Sequence, residues 1–193
     1  MMKSVTSWLE RKLFLKVNAT KTKVVRPTNS SFLGFTYCKT GPKWECKPTN
    51  KSKMNLYNKC RFELIRKKCV SRSNVITFTR INQIVKGWIN YFRIGKMKIF
   101  INKFGQWLRH KIRIIILKQW KTPPTIYRNL RILNIKFKEG FDDEILYAVA
   151  NSRSGWYKKT MNDVVNFILN PRTLAIKKGD RPGLVNPLEY YLR

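Results

Sequence analysis

The stretch INQIVKGWINYFRIGKMKIFINKFGQWLRHKIRIIILKQW, residues 81–120, decides the fold of this chain. Its first half predicts a helix that begins at Thr77 or Thr79. The apolar residues that share one face of this helix are Ile81, Ile84, Val85, Trp88 and Phe92. The second half predicts a longer helix, from about Lys98 to Trp120. Its inward residues are Phe100, Phe104, Trp107, Leu108, Ile112 and Ile115, while Lys103, Arg109, Lys111, Arg113 and Lys118 occupy the remaining surface.

Two further helices flank this pair. Asn50 is placed to cap a helix that runs to about Cys69. After the break at Pro123 and Pro124, a short basic helix is predicted from Thr125 to Leu133. Amphipathic helices of this size are typical of a small bundle.

The chain before Pro48 has a different pattern. Val5, Trp8, Leu9 and Leu13 predict a first helix. Strands are predicted at Thr22–Arg26, Ser31–Tyr37 and Lys43–Lys47, with a turn at Pro27-Thr28-Asn29. Two or three strands bury little surface by themselves. These strands therefore resemble the edge of a larger sheet. The predicted fold class is therefore α+β.

The composition divides the chain into three parts. Residues 1–48 form the strand-containing part, residues 49–138 the helical bundle, and residues 139–193 a basic C-terminal extension. In the last part, Ile145–Ala150 and Val164–Leu169 show weak helical patterns.

Charge is the strongest compositional signal. The sequence has 41 Lys and Arg against 10 Asp and Glu, a formal net charge of +31. A compact fold with this charge repels itself unless a polyanion neutralises it. Nucleic acid is the expected partner, because each phosphate contact releases counterions. An anionic membrane surface is the alternative, but its basic segments are usually short and local.

Several classes of protein are disfavoured. No apolar run is long enough to span a membrane, and no small-molecule site is indicated. The four cysteines form no CxxC pair, so reduced thiols are predicted rather than a zinc site or disulfides. The clustered acids Asp142-Asp143-Glu144 could resemble a metal-binding pair, but they suit the first turn of a helix. His110 lies between two cations, with no acid or nucleophile near it in sequence.

What remains is a basic surface with interspersed aromatic rings. Lys and Arg contact phosphates, and exposed rings stack on unpaired bases. Trp88, Phe92, Phe104 and Trp107 have core spacing and are predicted to pack. Trp120, Tyr127 and Trp156 are flanked by cations and are candidates for base contact. The predicted RNA contacts are Arg93, Arg109, Lys111, Lys118, Trp120, Lys121, Arg128, Arg153 and Trp156.

Two regions resemble a known family. LFLKVNATKTKVV at residues 13–25 and SFLGF at residues 31–35 are similar to the end of a reverse transcriptase palm. Lys21 best matches a family lysine close to the incoming nucleotide, where a cation stabilises developing phosphate charge. Phe32, Leu33, Gly34 and Phe35 resemble the primer-grip hairpin, in which Gly34 would let the backbone approach the primer closely.

The helical part resembles the thumb, or maturase domain X, of group II intron reverse transcriptases. Gly87, Trp88, Asn90, Tyr91 and Arg93 fit its GWxNYxR-like helix. The next helix is followed by Trp120, Lys121, Pro123, Arg128 and Leu130 at family positions, whereas Leu117 replaces a common tryptophan. Asn151-Ser152-Arg153-Ser154-Gly155-Trp156 resembles an S-R-K-G-x-W segment, with Ser154 in place of its lysine. Leu188-Glu189-Tyr190-Tyr191 is similar to the family terminus.

The resemblance implies a palm remnant followed by a thumb/maturase bundle that binds group II intron RNA and assists splicing and mobility. It also implies DNA as a further partner during retrohoming. The family's catalytic acids, which bind Mg²⁺, would lie before residue 1, so no cofactor or catalytic residue is expected in this chain. We expect no polymerase activity from the chain alone.

Three alternatives follow from this resemblance. The chain is an RNA-binding module, an intact RNA-directed DNA polymerase with a misassigned start, or an inactive remnant. A bacterial cytoplasm is the expected location and an organelle the second choice.

Overall fold

The computed structural model describes residues 2–18, 20–65, 74–176 and 182–193, and its fold is α+β as predicted. The strands are β1 (Ser31–Phe32), β2 (Phe35–Thr40) and β3 (Lys43–Pro48). Among the described residues up to 137, the helices are α1 (Met2–Leu13), α2 (Asn50–Glu63), α3 (Asn74–Phe92), α4 (Lys98–Trp120) and α5 (Pro123–Phe137). They are followed by α6 (Asp143–Asn151), α7 (Trp156–Met161), α8 (Asp163–Ile168), α9 (Pro171–Leu174) and α10 (Pro187–Leu192).

The three strands form one antiparallel sheet in chain order. The predicted strand at Thr22–Arg26 is wrong, because these residues pair with no described strand. The predicted turn at Pro27–Asn29 is confirmed as a short 3-10 helix. Ser31–Tyr37 is not one strand, because Leu33 and Gly34 have φ angles of 48° and 81° and reverse the chain between β1 and β2.

The bundle helices differ from the predictions mainly at their ends. Thr49, not Asn50, caps α2, since its hydroxyl accepts a hydrogen bond from the Ser52 amide at 3.2 Å. This helix ends at Glu63, and the predicted end at Cys69 lies outside the described residues. The next described helix, α3, begins at Asn74, before the predicted Thr77 or Thr79. The bounds of α4 are as predicted.

One buried cluster joins the bundle to the C-terminal helices. On α4, Phe104, Leu108 and Ile112 are almost fully buried, as predicted. Phe100 and Trp107 are partly buried and pack against the same cluster. The predicted C-terminal extension contributes to this core, and its fully buried members include Leu146, Val165 and Ile168. The proposed division at residue 138 remains a prediction.

Polar contacts fasten residues 182–193 to α3. The Asn82 side chain donates to the Gly183 carbonyl oxygen at 2.7 Å and accepts from the Val185 amide at 2.9 Å. The Tyr190 hydroxyl lies 3.1 Å from the Asn90 side-chain oxygen. This segment therefore covers the side of the bundle formed by α3 and α4.

The sheet is attached to the bundle through its first hairpin and through β3. The Gly34 carbonyl oxygen accepts from the Thr49 amide at 2.8 Å and from the Ser52 hydroxyl at 3.1 Å. The Phe35 ring lies 4.9 Å from that of Phe92 on α3. In contrast, α1 has no buried residue, and no described helix is both long and apolar enough to cross a membrane.

Candidate nucleic-acid interface

The predicted contacts on α4 lie in different environments. Arg109 is half-buried and lines a narrow crevice with Leu174 and Pro187. Burial lowers the pKa of its guanidinium. Lys111 and Lys118 are seven residues apart and share another face of the helix, where both are partly exposed. The structure therefore separates Arg109 from the two lysines.

Trp107 lies on the same face as Lys111, one helical turn before it. The Arg61 guanidinium carbon lies 5.8 Å from the centre of the Trp107 ring, and the Tyr57 ring meets the tryptophan edge-on at 4.7 Å. We define Arg61, Trp107, Lys111 and Lys118 as the basic stripe. Its cations can contact phosphates, while Trp107 is held in place by α2.

Arg61 was not among the predicted contacts, and neither was Lys53, whose ammonium lies 5.4 Å from the Phe100 ring centre. A signal for both was present in the sequence. Lys53, Tyr57 and Arg61 follow one another at four-residue intervals and so share one face of α2. That this face meets the aromatic residues of α4 depends on tertiary packing.

The other predicted cations lie on separate elements. Arg93 is exposed in the turn after α3, Lys121 is exposed at the end of α4, Arg128 is exposed on α5, and Arg153 is exposed between α6 and α7. Their roles remain predictions.

The two tryptophans that were predicted to contact RNA are largely engaged in packing. Trp120 and Trp156 are partly buried against the core. The Lys159 ammonium lies 5.8 Å from the Trp156 ring centre and donates to the Ala150 carbonyl oxygen at 2.9 Å. Burial lowers the pKa of Lys159. This buried cation ties the end of α6 to α7 and so fixes the ends of the loop that carries Arg153.

The structure corrects the prediction that Arg113 lies on the surface of α4. Its side chain is buried, Nε donates to the Leu169 carbonyl oxygen at 3.0 Å, and the guanidinium also donates to both oxygens of Asn166. Burial, with a smaller effect of Arg109, lowers the pKa of Arg113 to about 10. Arg113 therefore fastens α8 to α4 and is not available to phosphate.

His110 is also directed inward. Its Nδ1 lies 3.4 Å from the Thr160 hydroxyl, its ring packs edge-on against Tyr157, and its Nε2 is buried without a partner. Burial, followed by Lys111 and Arg113, lowers the pKa of this histidine. These surroundings favour the neutral ring.

The residues that resemble the polymerase palm lie in exposed turns or pack against α3. Lys21 is exposed in a turn, where its amide is 3.1 Å from the Asn18 side-chain oxygen. Phe32 and Leu33 are exposed at the first hairpin, Phe35 packs against α3, and Gly34 has the positive φ of the turn. Contact of these residues with a nucleotide or primer remains a prediction.

The described acidic residues do not fit a magnesium site. Asp143 pairs with Arg131 at 2.9 Å in the first turn of α6. Within the described ranges, no three His, Cys, Asp or Glu side chains are grouped so as to hold a metal ion. Cys38, Cys46 and Cys60 are free thiols, and burial raises the pKa of Cys60 to about 12.

Among the described residues, the ion pairs engage only a small part of the cations on the surface. The ion pairs between described residues engage Arg80, Lys96, Arg131 and Arg193. Among the described residues, none of those predicted to contact RNA takes part in an ion pair. The basic stripe is thus open to an external anion.

Residues 54–132 match the group II intron, maturase-specific domain. This segment is therefore similar to that family. The resemblance to the C-terminal part of a maturase is thereby confirmed, and a group II intron maturase role is supported. A comparison with curated proteins gave no match.

The matched segment includes most of α2, all of α3 and α4, and much of α5. It therefore contains the whole basic stripe. Arg93, Arg109, Trp120, Lys121 and Arg128 also lie within it, whereas Arg153 and Trp156 lie beyond its end. The region that resembles a polymerase palm precedes the domain, so its assignment remains a prediction.

Proposed function

We propose that this chain binds group II intron RNA and assists its splicing and mobility. The match of residues 54–132 to the maturase-specific domain carries this proposal. The basic stripe supports it, because Arg61, Lys111 and Lys118 lie within the matched segment and have no acidic partner among the described residues. On this proposal, intron RNA is the main partner.

The proposed mechanism is stabilisation of a folded ribozyme. Cations of the stripe neutralise phosphates of RNA helices that lie close together only in the folded intron. Binding to the folded RNA but not to the unfolded RNA shifts the equilibrium towards the active fold. The RNA then carries out the splicing chemistry, and the protein acts as a scaffold without a catalytic residue.

An RNA-directed DNA polymerase is the second candidate. Lys21 and the hairpin at Phe32–Phe35 favour it, through their resemblance to a palm. In the family, bound Mg²⁺ supplies charge stabilisation for nucleotide transfer, but the described residues of this chain do not fit such a site. An in-frame Y-x-D-D strand in the upstream DNA would favour the polymerase, with DNA as a partner in retrohoming. We place either function in a bacterial cytoplasm.

A binding titration tests the proposed function. The purified chain is titrated with a folded group II intron RNA and with an unrelated structured RNA of equal length, at low and at near-physiological salt. We expect a preference for the intron RNA that persists at the higher salt. Equal binding that collapses as salt rises would show charge alone, and the inactive-remnant alternative would replace the proposal.

A further inference from the structure

An open cavity of about 470 Å³ lies where the sheet meets the bundle. Trp44, Glu45 and Cys46 of β3 form one wall, Ile94 and Lys96 of the α3–α4 turn form the second, and Tyr191 of α10 forms the third. We call this cavity the junction pocket. Its volume is in the range of pockets that bind small organic groups.

The walls of the junction pocket are fastened to one another. The Lys96 amide donates to the Cys46 carbonyl oxygen at 2.8 Å, and the Cys46 thiol lies 3.6 Å from the Ile94 carbonyl oxygen. The Tyr191 hydroxyl donates to the Gly95 carbonyl oxygen at 3.3 Å. These contacts fix the walls of the pocket relative to one another, which reduces the ordering cost of binding.

Exposed rings and a cation continue from the pocket along the sheet. Trp44 pairs with Lys39 and Cys46 pairs with Tyr37 across the antiparallel ladder, so all four side chains share one face. Trp44 is 52% exposed and Tyr37 is 41% exposed. A sheet face with open aromatic rings and a lysine is suited to stacking unpaired bases.

A lysine held by a weak ion pair lies at the rim of the pocket. The Lys96 ammonium contacts the Glu45 carboxylate at 2.8 Å, and hydrogen bonding to this carboxylate raises the pKa of Lys96. Both groups face solvent, where such a pair contributes little to stability. Lys96 can therefore turn from Glu45 to a phosphate without a large loss.

The geometry points to an unpaired nucleotide of RNA as the occupant of the junction pocket. Its base stacks on Trp44, its phosphate contacts Lys96, and the neighbouring base reaches Tyr37. This inference rests on the proposed function for the identity of the RNA. A base pair within a duplex is excluded because its ring faces are already covered by its neighbours, so the pocket distinguishes single-stranded from duplex RNA.

The test compares single-stranded RNA with duplex RNA. Fluorescence anisotropy is measured with a labelled ten-nucleotide adenylate RNA and with a blunt duplex that carries the same number of phosphates. We expect Trp44→Ala to weaken single-strand binding by roughly 5- to 100-fold, the range for one lost stack, and to leave duplex binding unchanged. Trp44→Phe retains a ring and should restore most of the affinity.

Phe14→Ala is the matched control, because Phe14 is 90% exposed and lies on neither the pocket nor the sheet face. Equal weakening for both RNAs, or no weakening by Trp44→Ala, would overturn the inference. If Trp44→Ala fails to fold, the wild-type chain is cross-linked to an oligonucleotide that contains 4-thiouridine. Adducts on Trp44, Cys46 or Tyr191 support the inference, whereas adducts confined to other residues reject it.

The two proposals fail in distinguishable ways. Loss of preference between intron and unrelated RNA would reject the maturase proposal while leaving the single-strand result intact. A retained intron preference together with an unaffected Trp44→Ala variant would reject the junction pocket alone.

Discussion

Arg113 and Lys111 are two residues apart on α4 and have contrasting surroundings. Arg113 is buried and donates to backbone and side-chain oxygens of α8, whereas Lys111 is partly exposed on the basic stripe. The sequence around α4 predicts a cationic surface, but it does not distinguish these two roles. The oxygens that satisfy Arg113 belong to residues more than fifty positions later, so only the folded chain brings them together.

His110 gives a prediction for the pH dependence of stability. Because burial and nearby cations lower its pKa below the ordinary 6.5, the folded chain holds the proton less tightly than the unfolded chain. Its contribution to stability is therefore complete above pH 6.5 and is lost as the pH falls towards the lower folded-state pKa. We expect the melting temperature to fall between about pH 7 and pH 5.

His110→Gln should flatten this dependence, which thermal denaturation followed by circular dichroism can measure. His110 is the one histidine of the sequence, so no other imidazole titrates in this range. A variant with the same pH dependence as the wild type would assign the effect to other groups.

At the scale of elements, the long amphipathic helices were predicted from spacing because their apolar faces are regular. The hairpin between β1 and β2 was indicated by the resemblance at Phe32–Phe35 but not by local spacing, because Leu33 and Gly34 interrupt no hydrophobic run and lack the usual Asn-Gly signal. Thr22–Arg26 has strand-like composition, yet no described strand pairs with it. Strand pairing depends on a partner elsewhere in the chain, which local composition does not specify.

Gly34 is required by the fold itself, independently of any approach to a primer. A Cβ atom there would lie 2.8 Å from the Ser52 hydroxyl and 3.2 Å from the Phe92 ring, at a φ of 81°. We expect Gly34→Ala to lower the free energy of unfolding by about 2–3 kcal/mol, through backbone strain and overpacking. Urea denaturation provides the measurement.

Two glycines provide matched controls for this variant. Gly41 has a φ of 61° but open space, so Gly41→Ala should cost only the backbone strain, about 1 kcal/mol. Gly87 is helical with open space, so Gly87→Ala should stabilise by up to about 1 kcal/mol. Equal losses at Gly34 and Gly41 would contradict the role of the Ser52 and Phe92 contacts.

For the whole molecule, composition predicted a polyanionic partner and spacing predicted the bundle. The attachment of residues 182–193 to α3 was not predicted, because it depends on the single amide of Asn82 and on irregular backbone. Of the candidate site, the partly exposed lysines were identified from the sequence, while the contact of Arg61 with the Trp107 ring required the packing of α2 against α4.

Salt dependence tests the basic stripe as a phosphate-binding surface. We expect the double variant Lys111→Ala, Lys118→Ala to weaken intron RNA binding and to reduce the slope of log K against log salt by about 1–2. Lys136→Ala is a matched control, since this exposed lysine lies beyond the maturase-specific domain. An unchanged slope for the double variant would remove these lysines from the interface.

Arg109→Ala should behave differently in the same titration. Because its side chain packs in the crevice beside Pro187, we expect a loss of stability of about 1–2 kcal/mol and little change in the salt slope. A marked fall in slope without loss of stability would instead place Arg109 among the phosphate contacts.

The hydrogen bonds of the Asn82 side chain with Gly183 and Val185 also affect the rate of folding. Gly183 and Val185 lie 101 and 103 positions after Asn82 along the chain. At a translation rate of about 5–20 residues per second, the groups that satisfy the Asn82 amide are synthesised roughly 5–20 s after Asn82 itself. During that interval α3 has an uncovered side, and contacts of such long range slow folding. Synthesis speed along the second half of the message therefore influences how much of the chain reaches its native form before it associates with other molecules.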